Sequence, residues 1–558
     1  MKSKKILACI LTLSIASSLF LGCGKSKDSD QSKEGGIDKD QFLNVVLLNE
    51  PKSLDPAKAY DIYTSYVHTN IQEALTRLGV DDNGNDVVKE GIAKEWKQSE
   101  DGLTWTFKLR DTKWSDGQPV TAEQFVYGIT RTLDGNTASE MAYLLFPIKN
   151  AEEFNSGKAK AEELGVKAID DKTLEFTLKA PCAYFLNMTY SKIMEPQRKD
   201  IVEKHGDKHG SEADTLVYAG PFKISEWVHN NKIELVKNPE YWDAENVKLE
   251  KATMKIIKDE NARMNEIYNG SLDLGTVSKP EWIEQLDKTG QFEVKKGYDT
   301  SATYNFFNHE NKYFKNAKIR KAFLIAKDRE GTIKIAQRGL AEPATAWVPP
   351  SVKVGDDEFR KVTDFQPVTE LKKENPDPKA LFIEGLKEEG LDPDPSKHTI
   401  KLLEGGTDST AKERAEFDQQ NFTEKLGINI NVDYVEWATF LEKTDDMDFE
   451  LAGASVTADY NDPLTYFDMY MSDRASVKTG WKNEKYDELI KKAMTTNDPE
   501  ERKKLFQEAE KIFIYEDAAI SPTAWRFKNT YVRNYVKNYT SPVFGNLDLK
   551  TVYTQGRE

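Results

Sequence analysis

Apolar positions along the chain fall into short runs with two different periods. LNVVLL at 43–48 reads as a buried strand. In LTWTFKLR at 103–110, Trp105, Phe107 and Leu109 alternate with polar neighbours, which predicts a strand with one buried face. TLEFTLK at 173–179 alternates in the same way, and IELVKN (233–238) and INVDYVEW (430–437) predict two more strands. TAEQFVYGITRTL at 121–133 places Phe125, Ile129 and Leu133 at helical spacing, behind Thr121, a residue suited to the N-cap. DPEERKKLFQEAEKIFIYE at 498–516 predicts an amphipathic helix opened by Asp-Pro. Both periods, mixed over 558 residues, predict an α/β protein of several units, because one hydrophobic core does not grow to that length. No internal repeat is visible.

The start of the chain breaks this pattern. MKSKK is a basic n-region, and ILACILTLSIASSLFLG is an apolar stretch of signal-peptide length. It is shorter than the ~20 residues a spanning helix prefers. Cys23 follows at once, so residues 1–22 are expected to be a lipoprotein signal peptide and Cys23 the lipidation site. Phe20 and Leu21 depart from the usual residues before Gly-Cys. Residues 24–41 are rich in Lys, Asp, Ser and Gly, and the 23–41 segment is expected to be a flexible tether reaching roughly 25 Å on average. The body would then sit on the outer face of the cell membrane, held by lipid.

The formal net charge is −16, and it falls by three more units without the leader lysines Lys2, Lys4 and Lys5. Such a surface is repelled by nucleic acid and by anionic lipid. Cys182 is the one cysteine of the body, so no internal disulfide or Cys-rich zinc site is expected there; a buried or inert thiol is expected.

Motifs of catalysis are missing. There is no GxSxG, HExxH or P-loop, and the six histidines are few for a metal constellation. His205 and His209 stand at helical ligand spacing in HGDKH, but the glycines beside them argue for a surface loop. DYNDP at 459–463 begins like a calcium loop, yet Pro463, Leu464 and Tyr470 occupy the fifth, sixth and twelfth positions, where such a loop needs an oxygen ligand, Gly and Glu. Asp445 and Asp446 are adjacent and expected to be solvated. No cofactor, no metal and no catalytic residue is expected.

One constellation runs through almost the whole body: EPKSLDPAKAYD (50–61), WTFKLRDTKWSDGQPVTAEQFVYGITR (105–131), KAIDDKTLEFTLKAPCAYF (167–185), AGPFKISEW (219–227), NPEYWD (238–243), RKAFLIAKDRE (320–330), WVPP (347–350), VEWATFLE (435–442) and TADYNDP (457–463). In this order it closely resembles the peptide/oligopeptide-binding proteins of bacterial ABC importers, the extracytoplasmic solute-binding proteins of family 5, over about residues 42–558. Glu123-Gln124 is a departure, since the family usually has Asp before the Phe.

The resemblance implies a two-lobed periplasmic-binding-protein-like fold with an extra domain inserted in the first lobe. Lobe I would be 42–72, 206–297 and 525–558, the inserted domain 73–205, and lobe II 298–524. It implies an oligopeptide held extended between the lobes of a monomer and handed to permease subunits. Asp459 falls on the family's amine-binding aspartate; turn capping is the alternative. Ser455 and Thr457 match positions whose backbone pairs with the peptide, and Ile62 would add backbone from lobe I. Tyr304, Trp437 and Trp525 match pocket-lining aromatics, with core packing the alternative. Gly453 and Thr444 stand where the best-matched receptors carry Arg, and Val456 where they carry Trp. Lys412 or Arg414 is then the candidate carboxylate anchor. Competing readings are a receptor for a signalling peptide, a binder of a non-peptide solute such as a metal chelate or sugar, and, remotely, a secreted hydrolase using Asp459.

Overall fold

Two long antiparallel strands, Phe292–Phe307 and Ile520–Arg533, lie side by side within the largest sheet of the described residues. The computed structural model describes residues 36–407, 409–473 and 475–557; the expected signal peptide, Cys23 and most of the expected tether lie outside the described residues. Between Tyr298 and Ala302 the register of the long pair is interrupted. On one side of the break, Phe292–Tyr298 pairs with Phe527–Arg533, and Leu274–Thr276 adds an edge. On the other side, Leu451–Thr457 joins Ser301–Phe307, followed by Thr399–Gly405 and Asn429–Val435.

Two four-stranded sheets complete the frame. In the first, Phe42–Leu47 lies parallel to Lys251–Ile256, with Lys232–Lys237 and Phe222–Val228 beyond. Leu43, Val45 and Leu47 are fully buried while Asn44 and Val46 are half-buried, so the expected strand has one clearly apolar face. The second sheet orders Ala93–Gln98, Thr104–Leu109, Thr173–Thr177 and Val166–Asp170, all antiparallel. Trp105, Phe107 and Leu109 point into its core, as their alternation predicts. The helix Ala122–Leu133 covers that core with Phe125, Ile129 and Leu133. Gln124 explains why the departure there is tolerated: its Oε1 accepts from Thr121 N–H at 3.1 Å and from Trp114 Nε1 at 2.9 Å, closing the first turn as a capping-box residue does.

Three expectations shift. The strand at 430–437 ends at Val435, and Trp437 instead opens the helix Trp437–Asp445, whose spacing buries Phe440. The helix at 498–516 is α-helical over Pro499–Glu510 and then widens to a π-helical turn through Glu516. His209 is not on the surface: it is buried with Nδ1 3.5 Å from Asp55. Cys182 is buried, and burial pushes its thiol up to about 12, so it stays protonated. Among the described residues no helix is long and apolar enough to cross a membrane, and no cluster of His, Cys, Asp or Glu could hold a metal ion.

Candidate functional site

The strand Leu451–Thr457 is paired unequally on its two sides. Towards Phe292–Phe307 it is paired throughout, from Leu451 opposite Phe307 to Thr457 opposite Ser301. Towards Thr399–Gly405 only Leu451 and Ala452 are paired. Among the described residues, the backbone edge from Gly453 to Thr457 therefore takes no strand partner. An unfilled edge of this kind is a template for an added strand. Ser455 and Thr457 share one exposed face of it, with hydroxyls 3.4 Å from Thr303 and 2.8 Å from Ser301.

The chain turns sharply just beyond. Tyr460 is buried and stacks on Tyr184 with ring centres 4.3 Å apart. Asn461 accepts from Lys353 N–H at 2.8 Å and its carbonyl accepts from Asn187 at 3.0 Å. Asp462 is gripped by Arg502 through two bonds of 2.6 and 2.9 Å and caps Leu464 N–H at 3.0 Å. These three residues are scaffold. They leave Asp459 exposed at the end of the open edge, its own N–H tied to Thr465 Oγ1 at 3.1 Å.

The Asp459 carboxylate accepts one hydrogen bond, from Tyr143 Oη at 3.1 Å, and among the described residues no lysine, arginine or histidine pairs with it. The walls around it raise its pKa above the usual carboxylate range, against the opposing pull of the Tyr143 hydrogen bond. Such a carboxylate has free lone pairs and no cation of its own. It lines a cavity of about 600 Å³ together with Thr457 and Ile62, the first residue of the helix Ile62–Ile71. The Asp299–Ser301 bulge and Arg526, which ion-pairs with Asp299 at 2.8 Å, form another wall.

The other expected residues are elsewhere. Tyr304, 3% exposed, packs edge-on against Trp347 in the core rather than lining this cavity. Trp525 is buried in the strand pair, opposite Ala302 and Glu342. Both follow from their registers in an interior strand. Trp437, 54% exposed, stacks on Phe440 with ring centres 5.1 Å apart, outside the cavity lining. Lys412 is exposed on the helix Ser409–Leu426 and also lies outside it, while Arg414 is committed to Glu404. A Cβ at Gly453 would approach Asn305 Nδ2 to 3.2 Å, so little room is left there for a longer side chain without movement. Tyr143 was invisible to sequence reasoning: it is one tyrosine in the short turn Ala142–Leu145, with no periodicity to mark it.

This mixed α/β architecture, with an unpaired strand edge ending at a carboxylate on the wall of a cavity, fits a solute-binding protein. The family of bacterial extracellular solute-binding proteins, family 5 Middle, matches residues 87–478, and the chain belongs to it. The chain is 33% identical over 557 residues to the dipeptide-binding protein DppE of Bacillus subtilis (strain 168), covering 98% of each. It is 32% identical over 556 residues to the oligopeptide-binding protein OppA of the same organism, covering 98% of this chain and 97% of that one. Among solved structures, Listeria monocytogenes OppA bound to peptide matches with a TM-score of 0.73 at 28% identity, over 93% of this chain and 100% of that chain.

Proposed function

We propose that this protein captures oligopeptides in the cleft and delivers them to the permease of an ABC importer, acting as a monomer anchored outside the cell membrane by lipid on Cys23. The observation that carries the reading is the open edge Gly453–Thr457 ending at a carboxylate with no cation of its own. An extended peptide adds to that edge through main-chain hydrogen bonds, which are indifferent to side-chain identity. Its terminal ammonium meets Asp459, and a charge-assisted bond of this kind contributes roughly 1.5–3 kcal/mol. Ile62 supplies backbone from the facing wall. No covalent chemistry is involved.

Lobe I is assigned to 42–72, 206–297 and 525–558, the inserted domain to 73–205 and lobe II to 298–524. The register break between Tyr298 and Ala302 and the self-contained four-stranded sheet within 93–177 support these limits. The test is mass spectrometry of ligand released from protein purified without its lipid. A ladder of short peptides is expected; a single non-peptide mass would refute the reading.

A further inference from the structure

In that reading Asp459 accounts for the cationic end of a peptide, and the same cavity holds a cation that forms no ion pair among the described residues. Lys192 lies in the turn Lys192–Met194, lines the cavity and is 9% exposed. Its Nζ donates to Ser65 Oγ at 2.7 Å, and among the described residues no carboxylate pairs with it. An ammonium has three donors, so two are left for other acceptors.

The acids nearest to it are committed. Glu195 Oε2 is 2.6 Å from His68 Nδ1, and His68 Nε2 is 3.2 Å from the Leu54 carbonyl. A carbonyl only accepts, so Nε2 carries a hydrogen, and the short contact at Nδ1 holds a second one shared with the carboxylate. The pair is neutral as a whole, whichever partner keeps that proton. Asp61 caps the helix Ile62–Ile71, accepting from Thr64 N–H at 2.8 Å. Burial disfavours the charged form of Lys192, an effect the fields of Glu195 and Asp61 oppose. A buried ammonium bonded to one neutral hydroxyl is a costly arrangement, and an incoming anion relieves it.

We propose that Lys192, steadied by Ser65, is the anion-binding residue of this cavity and holds a carboxylate of the ligand, either the peptide C-terminus or an acidic side chain. The inference rests on the peptide reading above. It replaces Lys412 as the carboxylate anchor. Lys528 is the competing cation of the cavity: it is half-buried and its Nζ is 3.4 Å from the Pro542 carbonyl, with Asp299 committed to Arg526 and Asp86 to the Val543 and Phe544 N–H groups.

The test is calorimetry with four probes: Ala-Ala-Ala, its C-terminal amide, Ala-Glu-Ala and Ala-Gln-Ala. Lys192→Met is expected to weaken binding of the carboxylate-bearing member of one pair by roughly ten- to a hundredfold and to leave its neutral counterpart within about twofold. The acid–amide pair marks the C-terminus as the source, and the Glu–Gln pair marks the side chain. Lys192→Arg keeps the preference, and Ser65→Ala reduces it without removing the protein's fold. Equal loss for all four probes, no loss for any, or erasure of the preference by Lys528→Met instead would overturn the assignment. Failure of the wild-type protein to bind any of the four would overturn the peptide reading and this inference with it.

Discussion

Asp462 is 3% exposed and held by both terminal nitrogens of Arg502, whereas Asp459, three residues earlier in the same turn, is exposed, and among the described residues its carboxylate is bonded only to the Tyr143 hydroxyl. The first carboxylate has its cation inside the protein. The second is kept near a strand end where the described residues supply none. The contrast separates two uses of acidic residues in one short motif: the buried pair fixes the turn, and the turn fixes the carboxylate that, in the proposed function, meets the ligand ammonium. The same division explains why the backbone continues from an open edge directly into a rigid scaffold.

Breaking the scaffold should have the largest effect. Asp462→Ala leaves Arg502 buried without a counter-ion, and a loss of about 3–5 kcal/mol of folding stability is expected, read by thermal or urea unfolding. Asp459→Asn reverses the pattern. Stability should stay within about 0.5 kcal/mol, because no internal pair is lost, while affinity for a peptide with a free amine should fall by roughly 1.5–3 kcal/mol in calorimetry.

Acidification sharpens the distinction further. In the proposed complex the ammonium binds the ionised form of Asp459, a group whose pKa partial burial raises above the ordinary carboxylate range. Affinity is therefore expected to decline as the pH falls through the pKa of the free protein, with one proton taken up per ligand released. Asp459→Asn should remove that decline. The smallest effect belongs to Tyr143→Phe, which removes a single hydrogen bond to the carboxylate; a loss of about 0.5–1.5 kcal/mol in affinity is expected, with unfolding unchanged.

Much of the frame was legible because it is encoded locally. Trp105, Phe107 and Leu109 report a half-buried strand by their period, and Phe125, Ile129 and Leu133 a helix face. Asp459, Thr457 and Ile62, three of the residues the resemblance marks, line one cavity. What local pattern cannot express is which edge of a strand stays unpaired, since that depends on Thr399–Gly405 parting from Leu451–Thr457 after Leu403. The resemblance marks Tyr304 and Trp525 as pocket aromatics, with core packing the alternative, and both side chains are buried: a matched position does not say which layer covers the side chain. Tyr143 reaches Asp459 across 316 residues of chain, and Lys192 and Ser65 meet across 127, so neither contact leaves a local trace.

The central claim is that Asp459 is the receptor for a ligand ammonium. Its most direct test is calorimetry of one co-purified peptide and its N-acetylated form against the wild-type protein and the Asp459→Asn variant. The account predicts that acetylation weakens binding to the wild type by roughly ten- to a hundredfold and changes binding to the variant by less than about threefold. Equal binding of both forms by the wild-type protein would contradict it.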